Sequence, residues 1–200
     1  GQHVLLVDFD PQGNASSGLG LERDDLENTV YDMLTEECTF DQCCISEIQK
    51  NLDILPSDMN LAGAEIEFQE VEDKEKLLRG YLDQVRDEYD FIIIDCPPSL
   101  NILTINALTA ADTVIVPIQC EYYALEGLGQ VLRTVDLVKK KLNPDLELEG
   151  VVFTMYDART NLSLEVVENV KSNLNRTIYK TIIPRNVRLA EAPSHGMSIN

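Results

Sequence analysis

The most constraining feature of the sequence is a short apolar run that ends in two carboxylates. The run Val4–Val7 is followed by Asp8 and Asp10, and a turn containing Pro and Gly comes directly after them. This pattern is typical of a buried parallel strand that delivers acidic side chains to the carboxyl edge of a sheet, where α/β folds bind ligands. The arrangement recurs at Phe91–Asp95, which runs into two prolines. The chain is therefore predicted to hold two carboxylate-tipped strands.

Two such strands predict a site for a hydrated cation and a phosphate, because Mg²⁺ prefers oxygen ligands and keeps several of its waters. Asp8 and Asp10 are two residues apart, so an extended chain points both to one face. We assign Asp10 to the water that attacks a phosphoryl group and Asp95 to the metal. Asp8 is interpreted as a second neighbour of the metal or of a phosphate-binding lysine. The alternative is that each aspartate only begins a turn.

The fold class follows from the alternation of two apolar patterns. Short runs rich in Val and Ile predict strands at Val4–Val7, Leu52–Leu55, Phe91–Ile94, Thr113–Pro117, Gly150–Thr154 and Ile178–Ile183. Apolar residues at helical spacing predict helices at Asp73–Tyr89, Asn101–Ala110, Tyr122–Leu142 and Leu162–Leu174. This alternation predicts an α/β fold, a mostly parallel doubly wound sheet flanked by helices. Because no linker or repeat interrupts it, residues 1–200 are predicted to form a single domain.

Composition restricts the location and the chemistry. No stretch approaches the roughly 20 apolar residues of a membrane-spanning helix. The five cysteines include no CxxC pair, so neither a disulfide framework nor a zinc site is indicated, and we expect a cytoplasmic protein. Cys96 is expected to be a small buried apolar residue.

The charge balance restricts the partners. The chain has 16 basic and 35 acidic residues, a net charge of −19, which argues against broad binding to a polyanion. DNA would have to meet a local basic patch. The acidic stretches Glu22–Glu37 and Glu65–Glu75 are interpreted as solvated helix faces, with a docking surface for a basic peptide as the alternative.

Five segments, in this order, resemble the ParA/Soj chromosome-partitioning ATPases, which are deviant-Walker P-loop proteins of the MinD/ParA type. They are VLLVDFDPQGNASSGLG at 4–20, IIIDCPPSL at 92–100, QCEYYALEGL at 119–128, DARTNL at 157–162 and IPRNVRLAEAPSHG at 183–196. The resemblance covers the whole length of the chain.

The resemblance implies a P-loop NTPase-like fold and a magnesium-dependent ATPase. Such a protein forms a homodimer on ATP binding, binds DNA non-specifically as that dimer, and is stimulated to hydrolyse by a ParB-type protein. It implies a cytoplasmic, nucleoid-associated location without a membrane partner. Asp10 falls where the family has its hydrolysis-critical switch I acid, and Asp95 falls on the Walker B acid.

The resemblance also assigns roles to residues of the second half of the chain. Arg159 and Arg188 fall on DNA-contacting arginines. Considered alone, each arginine has the alternative role of a solubilising or weakly paired surface group. Pro184, Arg185 and Asn186 match a segment that borders the adenine.

One departure from the family matters most: its KGGVGKTT loop is absent from the sequence. That loop carries the backbone N–H cradle and the lysines that neutralise phosphate charge. We therefore expect an internal fragment that lacks the first strand, the P-loop and a C-terminal helical segment. The 200 residues alone are predicted to be inactive, and unpaired strand edges are predicted to make them unstable or oligomeric.

Two other functions stay open from the sequence. A MinD-like membrane-associated ATPase, which organises division-site placement, would need a C-terminal amphipathic helix. A catalytically inactive interaction module would bind partners without turnover.

Overall fold

The structure, a computed structural model, describes residues 1–196 and the side chains among them except that of Glu65. The chain forms two compact units. The first unit comprises Gly1–Ala110 and the residues from Ala190 onward, and the second unit comprises Ala111–Leu189.

The first unit contains a four-stranded sheet of order β2-β3-β1-β4. Its strands are β1 (Val4–Asp8), β2 (Ile45–Gln49), β3 (Leu52–Leu55) and β4 (Phe91–Asp95). Strand β1 is parallel to β3 and β4, whereas β2 is antiparallel to β3. Strand β2 was missed by sequence reasoning, because its sequence ISEIQ has too few apolar residues to stand out as a strand.

The helices of the first unit are α1 (Asn14–Gly18), α2 (Val30–Leu34), α3 (Phe40–Cys43), α4 (Ala64–Glu67), α5 (Leu77–Val85) and α6 (Ile102–Ala110). Helix α5 is shorter than the predicted Asp73–Tyr89, because single 3₁₀ turns occupy both flanks. Its residues Leu78 and Leu82 are buried in the same core as Leu5 and Phe9. Burial of these apolar groups is the main force that holds the helices on the sheet.

The second unit contains a parallel three-stranded sheet of order β5-β6-β7. Its strands are β5 (Thr113–Gln119), β6 (Glu147–Tyr156) and β7 (Ile178–Pro184). Its helices are α7 (Ala124–Lys141), α8 (Asn161–Asn173) and the start of α9 (Val187–Glu191). Val151 and Phe153 of β6 are fully buried in its core.

The predicted α/β class with mostly parallel strands is confirmed. All six predicted strands are present, and among the strands within residues 1–196 only β2 runs antiparallel. Within residues 1–196, no helix combines the length and the apolar character needed to cross a membrane.

Strands β4 and β5 are each an outermost strand of their own sheet, so one side of each has no neighbouring strand in that sheet. Phe91 and Ile93 of β4 are 52% and 54% exposed, and Ile115 of β5 is 50% exposed. Apolar side chains of this size on an edge strand are a liability for association.

Candidate functional site

The two carboxylate-tipped strands lie side by side in the first unit. Asp8 at the end of β1 is paired in register with Asp95 at the end of β4. The backbone N–H of Phe9 donates to the Asp95 carbonyl at 2.8 Å, which extends the pairing beyond the strand. The predicted convergence of the two strand ends at one edge of the sheet is therefore present.

Asp8 is fully buried, and its carboxylate is held by the protein itself. Its Oδ2 accepts hydrogen bonds from the backbone N–H of Ser16 at 2.8 Å and from the Ser16 hydroxyl at 2.7 Å. Ser16 lies in the first turn of α1, whose N-cap Gly13 offers no side-chain cap. Asp8 therefore caps α1 from the preceding strand, as an anion does at a helix N-terminus.

Asp10 lies in the turn between β1 and α1 and is 8% exposed. Its Oδ1 accepts from the N–H of Gln12 at 2.9 Å, and its carbonyl accepts from the N–H of Gly13 at 2.9 Å. Gly13 has φ +62°, and a Cβ there would lie 2.9 Å from the Ser57 carbonyl oxygen. Only glycine fits this position, so the turn that carries Asp10 depends on it.

Asp95 differs from the other two acids because its side chain is exposed and, among the described residues, makes no hydrogen bond or ion pair. Desolvation by the surrounding protein, followed by the charges of Asp8 and then Asp10, raises the pKa of its carboxyl group. A cation at this edge would relieve that repulsion. Among residues 1–196, however, no three His, Cys, Asp or Glu side chains are grouped to hold a metal ion by themselves.

The expectation that Cys96 is a buried residue is wrong. The residue is exposed, although its thiol faces the Ile94 carbonyl at 3.7 Å. Desolvation, then the charges of Asp95 and Asp10, raises the pKa of this thiol to about 12. A thiol of this kind is protonated at neutral pH and unreactive.

In the second unit, Arg159 follows β6 and is 87% exposed at its side chain. Its Nε and Nη2 donate to the two oxygens of Asp157 at 2.9 and 2.7 Å. This bidentate pair lowers the pKa of the Asp157 carboxyl and raises the pKa of the guanidinium. Contact with a phosphate would therefore have to compete with Asp157.

Arg188 lies in α9, which follows β7, and its backbone N–H is capped by the Asn186 side chain at 2.9 Å. Tyr156 and Pro184, the last residues of β6 and β7, are paired in register. Arg159 and Arg188 thus follow neighbouring parallel strands at the same edge of one sheet.

Arg185 directly follows β7 and interacts with residues at the ends of β6 and β5. Its N–H donates to the Tyr156 carbonyl at 2.9 Å, and its guanidinium lies 3.9 Å from Glu121. Pro184, Arg185 and Asn186 form one continuous segment at this edge, and their assignment to the adenine stays a prediction.

Sequence reasoning missed two features of these edges. Ser16 joins the acidic turn to α1, and a polar residue three positions after a turn glycine could have indicated a helix start there. Tyr122 and Tyr123 follow β5 and are 79% and 73% exposed. Their rings contact each other edge to face, with the ring centroids 5.1 Å apart. Two adjacent tyrosines directly after a predicted strand were a visible signal for an exposed aromatic pair.

Comparison with known proteins identifies the family. A family described as an AAA domain matches residues 1–148. The sporulation initiation inhibitor protein Soj of Bacillus subtilis (strain 168) is 57% identical over 199 residues, which cover 100% of this chain and 79% of the relative. The chromosome partitioning protein ParA of Myxococcus xanthus (strain DK1622) is 48% identical, covering 99% of this chain and 70% of the relative.

A solved structure is also similar to this chain. Cobyrinic acid a,c-diamide synthase from Mycobacterium smegmatis, with bound ATP analogue and magnesium, is 40% identical and has a TM-score of 0.87. The match covers 94% of this chain and 76% of that structure. With this fold, these paired strand ends and these relatives, the chain belongs to the ParA/Soj family of chromosome-partitioning ATPases.

Proposed function

We propose that this chain is the core of a magnesium-dependent partition ATPase in which Asp95 holds the metal and Asp10 orients the attacking water. The observation that carries this is the pairing of Asp8 with Asp95 at one sheet edge, with Asp10 in the turn that follows. Asp95 fits a cation because its carboxylate is exposed and faces two further negative charges. Bound magnesium would neutralise charge on the phosphates. The solved relative with ATP analogue and magnesium supports both cofactors.

The residues of this chain divide the remaining work. The carboxylate of Asp10, held by the N–H of Gln12, is proposed to accept a hydrogen bond from the water and turn its lone pair towards phosphorus. Asp8 is proposed to act as a neighbour of the cofactor that fixes the turn, since Ser16 already occupies its Oδ2.

The phosphates of ATP need positive charge, which the sheet edge that carries Asp8, Asp10 and Asp95 does not supply. Among the described residues, no lysine or arginine forms an ion pair with Asp8, Asp10 or Asp95. A nucleotide triphosphate beside three acids requires the lysines of a phosphate-binding loop such as KGGVGKTT. We therefore propose that the 200 residues alone do not hydrolyse ATP and that the gene product needs such a loop.

The DNA-binding role is proposed for the second unit. Arg159 and Arg188 lie at one sheet edge, which supports joint contact with a phosphate backbone. We propose that the ATP-bound homodimer binds DNA non-specifically through them, that a ParB-type protein stimulates hydrolysis, and that the protein is cytoplasmic and nucleoid-associated. The adenine contacts of Pro184, Arg185 and Asn186 are proposed on the same resemblance. The single domain over 1–200 is proposed because no linker or repeat interrupts the sequence.

The test is the ATPase rate of the complete gene product with magnesium, measured with and without DNA and a ParB-type protein. The proposal predicts magnesium-dependent hydrolysis that rises when both are added. Turnover without magnesium, or no stimulation by either partner, would contradict it. Nucleotide-dependent sedimentation with anionic liposomes would instead favour the MinD-like role. We propose a partition role and not a synthase activity, because the two partition proteins are 57% and 48% identical to this chain and the synthase is 40% identical.

A further inference from the structure

A single hydroxyl group connects three segments around the acidic turn of the first unit. The Ser16 Oγ donates to Asp8 Oδ2 at 2.7 Å and accepts from the backbone N–H of Ser57 at 3.2 Å. Asp8 ends β1, Ser16 lies in α1, and Ser57 lies in the loop after β3. We call these three groups the Ser16 tether.

The tether is buried from solvent. Asp8, Ser16 and Ser57 are 0%, 3% and 1% exposed. A hydrogen bond to a carboxylate in such surroundings is short and strong, because water does not compete for either partner. Loss of the Ser16 hydroxyl would leave the buried Asp8 charge with less stabilisation and the Ser57 N–H without its acceptor.

Asp10 lies inside the loop that the tether closes. Asp8 and Ser16 are joined by two hydrogen bonds, and the five residues 9–13 form the turn between β1 and α1. Within this turn, the Asp10 carboxylate accepts from Gln12 at 2.9 Å. The position of Asp10 at the sheet edge is therefore set by the two ends that the tether holds.

We propose that Ser16 is a positioning residue for hydrolysis, which acts on Asp10 through Asp8 and the turn. This rests on the proposed function, in which Asp10 orients the attacking water. Displacement of such a group by about 1 Å can lower turnover by about 100-fold without removing any group that contacts substrate. The tether should therefore affect kcat much more than nucleotide affinity.

The experiment compares Ser16→Ala, Ser16→Val and Ser16→Thr in the complete gene product. Val and Thr have the same shape, and only Thr keeps the hydroxyl, so this pair isolates the hydrogen bonds from packing. Ser17→Ala is the matched control, because Ser17 is the adjacent serine, is exposed, and its hydroxyl donates to the Asn14 carbonyl at 3.3 Å.

We expect Ala and Val to lower kcat by about tenfold or more, with the KM for ATP within about threefold of wild type. Ser16→Thr should keep most of the wild-type kcat, and Ser17→Ala should leave kcat unchanged. Amide hydrogen exchange of residues 10–17 should be faster in the Ala and Val variants than in wild type.

Three results would overturn the proposal. The first is a kcat within about twofold of wild type for Ser16→Ala with faster exchange. The second is a parallel loss of kcat in the Thr and Val variants. The third is a failure of Ala and Val, but not Thr, to fold, which would make the hydroxyl a folding determinant. If wild type itself has no ATPase activity, the proposed function fails, while the exchange measurement still tests the tether.

Discussion

The two units differ sharply in charge. The second unit, Ala111–Leu189, carries ten basic and ten acidic residues, whereas the rest of the chain carries six basic and 25 acidic residues. The whole net charge of −19 therefore belongs to the first unit. The groups proposed for metal and water, Asp10 and Asp95, lie in the acidic unit, and the proposed DNA contacts, Arg159 and Arg188, lie in the neutral one.

This difference teaches that a net charge calculated for a whole chain can mislead about its partners. Electrostatic repulsion from exposed charges is screened over about 8 Å at physiological salt. A polyanion at the sheet edge of the second unit therefore experiences mainly the local charges, which include Arg159 paired with Asp157 and Arg185 beside Glu121. The argument against broad polyanion binding holds for the first unit only.

The largest expected effect tests the role of the acidic unit. Asp10→Asn in the complete gene product should lower kcat by about 100-fold or more, because the group that orients the water loses its charge. Binding of ATP should persist. The measurement is steady-state hydrolysis together with binding of a fluorescent ATP analogue.

Asp24→Asn is the control, because it removes one charge from an exposed residue of the same unit. It should leave kcat unchanged. If Asp24→Asn lowered kcat as much as Asp10→Asn does, the acidic unit would act through its overall charge and not through Asp10.

The next effect tests the role of the neutral unit. Arg159→Ala and Arg188→Ala should each weaken DNA binding by about tenfold and reduce the slope of log affinity against log salt by about one. The rate of hydrolysis without DNA should not change. Fluorescence anisotropy with unrelated DNA sequences at several salt concentrations measures both quantities.

Arg79→Ala makes the same charge change in the first unit, where Arg79 lies 3.5 Å from Asp83. It should leave the affinity for DNA and the salt slope close to wild type. An equal loss of affinity in Arg79→Ala would show that net charge matters and the edge of the second unit does not.

The sequence predicted the acidic edge better than its internal contacts. Apolar runs with acidic ends were sufficient to predict that Asp8 and Asp95 lie at the same carboxyl edge of a parallel sheet, because buried parallel strands are apolar along their length and bind ligands where they end. The same reasoning could not show that Asp8 contacts Ser16, since that contact depends on how α1 returns over the strand. The local sequence pattern carries no information about this contact between Asp8 and the N-terminus of α1.

Cys96 and β2 show two other limits of sequence reasoning. Cys96, fixed between Asp95 and Pro97, was expected to be a small buried apolar residue, yet β4 is an edge strand in its sheet and the residue is exposed. Strand β2 forms because it pairs antiparallel with β3. In both cases the outcome depends on which strands are neighbours, and no short window of sequence records this.

A smaller effect concerns the exposed sheet edges. Ile93 of β4 is 54% exposed, and Ile115 of β5 is 50% exposed. In the 200-residue chain, Ile93→Lys should weaken self-association by a few-fold, because a charge on an edge strand opposes pairing with another chain. Sedimentation velocity over a range of concentrations measures this.

Ile115→Lys is the corresponding change in the second unit. If only one substitution weakens self-association, the responsible edge is identified. A wild-type chain that is monomeric at all concentrations would contradict the expectation for both edges.

The smallest expected effect compares one carboxylate from each unit. Desolvation, followed by the charges of Asp8 and Asp10, raises the pKa of Asp95, so its ionisation costs stability once the pH exceeds its usual value of 3.8. Asp95→Asn should therefore raise the Tm at pH 7 in metal-free buffer, and the gain should shrink as the pH falls through the raised pKa of Asp95. Because the side chain is exposed, solvent screening limits the gain to about 1 °C.

Asp157→Asn in the second unit should behave in the opposite way. Pairing with Arg159 lowers the pKa of Asp157, so its ionised form stabilises the fold above the usual pKa of 3.8, and this contribution is lost as the pH falls through the lowered value. The variant should not gain in Tm at pH 7. Calorimetry of both variants at pH 4, 5.5 and 7 separates the two cases. A Tm loss in Asp95→Asn at pH 7 would mean that this carboxylate stabilises the fold without a cation, which contradicts its proposed role as a metal ligand held at a cost in stability.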